Sequence, residues 1–240
     1  MKSTKSELPE DVIRRVATEI IVRAIKLGKK KGRSIYISKT SNGDGIPVDT
    51  LDPSTAEGMA NLDKFFKPVK RQYTVYGLGS QDEKGAINWR LLNMPFWKRA
   101  FLSCATAISL LMRGTPLKNR FLRMLGAHIG KGSEIMQFVW LDHFRPELIF
   151  IGENTLVGAM TQFTVHAYEG SGKFRFGTIE VGNNCTLAAG TGVGPIVIQD
   201  NVRTLPGTIV SPYFVRIREG SIVGWNKPDV RKTEEEPLQP

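Results

Sequence analysis

One histidine lies where a regular sequence pattern breaks, and its side chain could act as a base. His166 ends the aliphatic run "VGAMTQFTVH" and precedes a polar, glycine-rich stretch, "AYEGSGKFRFG". An imidazole with an unperturbed pKa near 6.5 can accept a proton from a hydroxyl group at neutral pH. A structural imidazole bonded to the backbone is the alternative.

The chain has two further histidines, His128 and His143, so a metal site is the next hypothesis. Zinc sites usually join ligands at short, recurring spacings, and these three histidines are scattered. We therefore predict no metal ion.

The residues around His166 belong to a repeat of six that begins at Ile129. Its units include "IGKGSE", "IMQFVW", "LDHFRP", "IGENTL", "VGAMTQ", "VGNNCT", "LAAGTG", "IQDNVR" and "IREGSI". A helix needs apolar residues about every 3.6 positions and a half-buried strand every two, whereas six is the repeat of a parallel β-helix. Each unit forms one side of a prism, and its opening aliphatic residue points inward. A sandwich of short strands is the alternative, but these units run on without hairpin signals.

Residues 129–226 resemble the hexapeptide-repeat acyltransferases, in particular their O-acetyltransferase branch. The likeness rests on "LDHFRPELIFIGENTLVG", "TLPGT" and "GSIVGWNKPDVRK", and on the helical lead-in "PLKNRFLRMLGAHIG". It implies a mainly β fold, a left-handed parallel β-helix of about five coils. It also implies a homotrimer that transfers an acetyl group from acetyl-CoA to a hydroxyl of a sugar or related small molecule.

The resemblance also implies roles for individual residues. His166 matches the family's general base, which lies at the end of a coil just before an excursion loop. If successive coils stack with Leu141 on Phe163, Asp142 lies one layer from His166 and could orient its imidazole. Glu169 is the alternative orienting residue.

The family binds the pantetheine arm of acetyl-CoA in a groove between neighbouring β-helices. Ala188, Ala189 and Gly190 of "LAAGTG" are the small residues of the matching coil, and a backbone amide there could bind the thioester oxygen. Arg231 and Lys232 are candidates for the nucleotide phosphates.

The stretch "EGSGKFRFGT" interrupts the repeat and is predicted to be a loop expelled at a corner. Its cations, Lys173 and Arg175, would face an acceptor or a phosphate, and simple solvation is the alternative for each.

The first half of the chain is predicted to be a largely helical arm, residues 1–125, before the acyltransferase domain, 126–226, and a tail, 227–240. "PEDVIRRVATEIIVRAIKLG" has a helical apolar period with acidic residues at its start. A second helical region spans about Trp89 to Leu125 and breaks near 113–116. Residues 29–88 are rich in loop signals.

The net charge of +10 is unevenly distributed, because residues 1–125 carry +12 and the remainder −2. Such a surface could serve an anionic membrane, nucleic acid or a polyanionic substrate. We predict no nucleic-acid partner. The segment "FWKRAFLSCATAISLLMRG" could lie in a membrane interface, and packing against the coils or a trimer neighbour is the favoured interpretation.

Two cysteines and the absence of an apolar stretch after the first lysines favour a cytoplasmic location. Two other functions stay open. One is N-acetylation of an amino sugar or amine, and the other is a catalytically silent β-helix that serves as a trimeric scaffold.

Overall fold

The computed structural model describes residues 9–39, 45–67, 71–78, 89–168, 172–210 and 216–224. The chain divides into two compact units, residues 1–95 with 167–177, and residues 96–166 with 178–240. This division falls before residue 96 rather than at the predicted boundary of 125, because the helices between these positions group with the coils.

The first unit combines helices with an antiparallel sheet. Its helices are α1 (Pro9–Lys31), a 3-10 turn (Val48–Leu51), α2 (Ala56–Phe65) and α3 (Trp89–Asn93). Its strands are β1 (Ser34–Ser38), β2 (Ile46–Pro47), β3 (Gln72–Leu78), β10 (His166–Tyr168) and β11 (Lys173–Gly177), in the sheet order β10-β11-β3-β1-β2. The predicted first helix is confirmed, with acidic residues in its first turn and lysines in its last. The segment predicted to be rich in loops contains α2 and three strands.

The predicted excursion loop is largely a strand of this sheet. β11 pairs antiparallel with β3 along its whole length. Phe176 stacks on the buried Tyr73 with ring centroids 5.5 Å apart, and Phe174 stacks on Trp89 at 6.2 Å. Residues inserted between two coils therefore complete the aromatic core of the first unit.

The second unit begins with two helices, α4 (Phe96–Leu111) and α5 (Pro116–Met124), and continues as a parallel β-helix with three faces. The first face contains β4 (His128–Ile129), β7 (Ile149–Ile151), β12 (Ile179–Val181), β15 (Ile196–Ile198) and β18 (Arg216–Ile217). The second contains β5 (Glu134–Ile135), β8 (Leu156–Val157), β13 (Thr186–Leu187), β16 (Arg203–Thr204) and β19 (Ile222–Val223). The third contains β6 (Trp140–Leu141), β9 (Gln162–Phe163), β14 (Gly192–Val193) and β17 (Ile209–Val210). The predicted fold class, a mainly β parallel β-helix of about five coils after a helical region, is confirmed.

The opening residue of each six-residue unit stacks on its counterpart in the next coil. On the first face this column is Ile129, Ile151, Val181, Ile198 and Ile217. Its members are all buried, as are Leu141, Phe163, Val193 and Val210 on the third face. These apolar columns fill the prism, so the period of six places the corners and whatever side chains they carry.

Helix α5 caps the open edge of the first coil. Three side chains of α5 donate hydrogen bonds to backbone carbonyl oxygens of this coil: Lys118 Nζ to Met136 at 2.6 Å, Asn119 Nδ2 to Ser133 at 2.5 Å, and Arg123 Nε to Ile129 at 2.8 Å. Burial lowers the pKa of Lys118 to about 8. The cap satisfies backbone groups that would otherwise present a strand edge for pairing.

Helix α4 exposes more large apolar side chains than an ordinary surface helix does. The residues that it buries are Leu102, Ala105, Thr106 and Ser109, three of them small. Of its large apolar side chains, Leu102 is buried and Leu110 is half-buried, whereas the exposed ones are Phe96, Trp97, Phe101, Ile108 and Leu111. No helix within the described ranges is long and apolar enough to cross a bilayer.

Candidate active site

The corner between the third and first faces brings Asp142 and His166 together. Leu141 pairs in register with Phe163, so the residues that follow these two strands lie in adjacent layers. Asp142 Oδ2 lies 2.5 Å from His166 Nδ1. We call this the histidine corner.

The Asp142 carboxylate is buried and fully engaged. Oδ1 accepts from the backbone N–H of Phe144 at 2.9 Å, and Oδ2 accepts from the backbone N–H of Val165, also at 2.9 Å. Oδ2 is also the partner of the imidazole. Because a carboxylate accepts at this position, Nδ1 carries the proton and Nε2 carries the lone pair. Asp142 thus fixes both the tautomer and the orientation of the ring.

Aromatic side chains surround this pair. The edge of Phe144 meets His166 at a centroid distance of 4.6 Å, and His143 packs on Phe144 at 4.3 Å. Burial lowers the pKa of His143, which favours its neutral form. No sequence motif predicts a role for Phe144. The available signal was its position two residues after Asp142, where its amide and its ring both reach the site.

The small residues predicted to bind the donor, Ala188, Ala189 and Gly190, lie at a different corner, between the second and third faces. Gly190 adopts a left-handed conformation (φ +73°), as does Gly207 one coil above it. A Cβ on Gly158, one coil below, would lie 2.6 Å from the backbone nitrogen of Ala189, so the coils approach closely here. We call this the small-residue corner.

Backbone donors at this corner are mostly in use. The N–H of Ala188 donates to Thr204 Oγ1 at 2.8 Å, and that of Gly190 donates to Ala159 O at 2.9 Å. Within the described part of the chain, Ala189 is the member of this trio whose N–H has no recorded partner. Of the three predicted residues, Ala189 is therefore the one whose backbone N–H could bind the thioester oxygen.

The histidine corner and the small-residue corner lie apart within one chain. Ala189 precedes Val193 on β14, whereas His166 follows Phe163, the in-register neighbour of Val193 on β9. These two levels along the face are about seven residues apart, which at about 3.3 Å per extended residue is at most roughly 23 Å. His166 and the small residues therefore lie at opposite ends of the third face.

The remaining predicted residues lie elsewhere. Lys173 and Arg175 belong to β11 of the first unit, opposite Tyr76 and Thr74 of β3. Glu169, Arg231 and Lys232 lie outside the described residues. Across the residues that the structure describes, no three His, Cys, Asp or Glu side chains cluster as a metal would require.

A curated protein is similar in sequence to part of this chain. Over 121 residues the chain is 31% identical to a protein of Bacillus subtilis (strain 168) named "Putative acetyltransferase YvoF". The match covers 50% of this chain and 66% of the relative, so it spans just under two thirds of that protein's length. The resemblance predicted from the hexapeptide-repeat sequence is thus confirmed by a relative named as an acetyltransferase.

A solved structure is also similar to part of this chain. The crystal structure of a maltose O-acetyltransferase from Clostridium difficile 630 has a TM-score of 0.42 and 19% sequence identity. The likeness covers 53% of this chain and 81% of that one. No family model matches the chain.

Proposed function

We propose that this protein transfers an acetyl group from acetyl-CoA to a hydroxyl of a sugar or related small molecule. The observation that carries the proposal is the Asp142–His166 pair, in which a buried carboxylate holds the imidazole at one nitrogen. That arrangement leaves Nε2 as the basic atom, which is what abstraction of a hydroxyl proton needs.

In the proposed reaction, His166 Nε2 takes the proton of the acceptor hydroxyl as its oxygen attacks the thioester carbon. The negative charge that develops on the thioester oxygen is stabilised by the N–H of Ala189. Collapse of the tetrahedral intermediate breaks the carbon–sulfur bond. The thiolate of CoA then receives the proton from His166, so no acyl-enzyme is required.

The separation of the two corners supports a trimer as the active form. A groove between two copies would place the histidine corner of one protomer beside the small-residue corner of its neighbour. Each active site would then use residues of both copies, and the isolated chain would be inactive.

The residues stacked at the small-residue corner suggest how far the donor extends. Gly190 and Gly207 present no side chains in the two upper coils, so the pantetheine arm could lie against their backbone. One coil lower, Met160 occupies the equivalent position, and Phe138 occupies it in the first coil. We expect these two bulky side chains to close the lower end of the groove.

Both alternative functions remain testable. A nitrogen acceptor would use the same base, so N-acetylation differs only in the acceptor. A scaffold has no need of a buried carboxylate that accepts two backbone N–H groups and an imidazole, which favours an enzyme.

The decisive experiment measures release of the CoA thiol from acetyl-CoA with matched panels of hydroxyl and amine acceptors. Wild type should turn over with a hydroxyl acceptor, and the His166→Ala variant should bind acetyl-CoA by calorimetry without turning over. Turnover with amines alone would establish the N-acetyltransferase. Absence of acetyl-CoA binding by the trimer would favour the scaffold.

A further inference from the structure

Helix α4 presents a continuous apolar stripe to solvent. Trp97, Phe101, Ile108 and Leu111 are each between 60% and 72% exposed, and Cys104 between them is also exposed. Their spacing of four, three, four and three residues places them on one side of the helix. We call these five residues the α4 stripe.

The α4 stripe is not an incidental exposure of a few apolar atoms. Another face of the helix packs against the protein, and it carries one large residue, Leu102, besides Ala105, Thr106 and Ser109. By contrast, α1 buries its aliphatic face, including Ile13, Val16 and Ile20. A contiguous row of exposed large apolar side chains is typical of a contact site for a protein or a membrane.

Charge identifies the kind of partner. Residues 96–124, which include α4 and α5, contain six lysines and arginines and no aspartate or glutamate. Lys98, Arg113 and Arg120 are exposed near or beyond the ends of α4. Two copies meeting through such a segment would bring like charges together, whereas an anionic lipid surface complements both the cations and the apolar stripe.

We propose that α4 docks this protein on an anionic membrane, lying in the headgroup region with the α4 stripe facing the acyl chains. Its sixteen residues are too few to span the bilayer's apolar core, which needs about 20, so the helix lies on the surface rather than across it. The surrounding cations supply electrostatic attraction that screening by salt weakens. In the interpretation favoured by the sequence, α4 packs on the coils or a trimer neighbour and the same apolar residues are buried there. The structure shows α4 in contact with the coils, where its Leu110 carbonyl accepts from the N–H of Phe138 at 2.9 Å, and the proposal concerns the exposed stripe.

The first test is co-sedimentation of the full chain with vesicles of phosphatidylcholine alone or with about one third phosphatidylglycerol. Wild type should pellet with the anionic vesicles and much less with the neutral ones. A variant with Phe101→Gln, Ile108→Gln and Leu111→Gln should lose this binding. The matched control carries Ile209→Gln and Ile222→Gln, which replace exposed isoleucines on the coils, and it should bind like wild type.

The charge component has its own variants. Lys98→Gln, Arg113→Gln and Arg120→Gln should each weaken partitioning by about fivefold. Raising the salt concentration should weaken binding of wild type more than binding of a variant that carries all three changes. Equal loss in the Ile209/Ile222 control would show non-specific adsorption and overturn the proposal.

Cys104 offers a direct readout, because the chain's other cysteine, Cys185, is buried. A nitroxide attached to Cys104 should become more accessible to oxygen and less accessible to a water-soluble nickel complex when anionic vesicles are added. An unchanged label would overturn the proposal. So would a glutamine stripe variant with a smaller oligomeric mass in sedimentation, because that result would assign the stripe to a second copy.

Discussion

Two corners of the β-helix turn the chain through the same left-handed conformation with different residues. Between the first and second faces the positions are Gly132, Asn154, Asn184, Asn201 and Gly220. Between the second and third faces they are Phe138, Met160, Gly190 and Gly207. Glycine and asparagine tolerate positive φ, whereas a bulky side chain there costs about 1–2 kcal/mol.

The residue types at these two corners distinguish positions that only turn the chain from positions that have a further role. At the first of these corners, which we call the turning corner, every residue suits the conformation that the turn needs. At the small-residue corner, two residues oppose it, and the strain of Phe138 and Met160 marks a role beyond turning the chain. The histidine corner goes further, since it buries a carboxylate. The comparison predicts that changes at the turning corner affect stability alone, whereas the other two corners also contain positions at which changes affect activity.

The largest effect is expected at the histidine corner. His166→Ala should lower kcat by about 10²–10⁴-fold because it removes the general base. Its thermal midpoint should stay close to that of wild type, because the Asp142 carboxylate still accepts from the backbone N–H groups of Phe144 and Val165. The assignment fails if steady-state assays show more than half of the wild-type rate.

Asp142→Asn should have a smaller effect on rate and a measurable effect on stability. An asparagine offers one acceptor oxygen to the N–H groups of Phe144 and Val165 and to the imidazole, so at least one buried donor loses its partner at about 1–3 kcal/mol. Urea unfolding and kcat should both report it. Glu169→Gln is the comparison variant, and if it alone lowers the rate, Glu169 rather than Asp142 orients the base.

Substitutions at the small-residue corner should act on donor binding. Gly190→Asn and Gly207→Asn keep a residue that accepts positive φ but add a side chain to the proposed groove. We expect KM for acetyl-CoA to rise by about tenfold, equivalent to roughly 1.4 kcal/mol. Gly220→Asn is the matched control at the turning corner, with a similar φ and open space around it. An equal rise in KM there would refute the groove.

The smallest effects compare strain at the two corners. Asn184→Ala should lower the free energy of unfolding by about 1 kcal/mol, because alanine tolerates positive φ poorly. Met160→Asn should raise it by a similar amount, a change of about 2–4 °C in the thermal midpoint, since Met160 is largely exposed. A loss of stability in Met160→Asn would instead indicate that another copy covers this side chain.

The sequence predicted those features that a local pattern encodes. The period of six identified the coils and their inward columns, and it placed Leu141 on Phe163, from which the proximity of Asp142 and His166 followed. Helix α1 was predicted from its apolar period and from the acidic residues at its start, which complement the helix dipole. In each case neighbours in the sequence, or equivalents one coil away, make the contacts, so a repeating pattern carries the information.

Only the tertiary structure showed three other features. Pairing of β11 with β3 joins residues about a hundred positions apart, and no local pattern in "EGSGKFRFGT" records its partner. The amphipathic pattern of α4 predicts two unlike faces, but it does not predict which face is buried, because apolar side chains can pack in a core or against an external partner. The contact of Phe144 with His166 depends on the turn after Asp142. The repeat determines the prism, whereas contacts between distant segments determine what is presented on it.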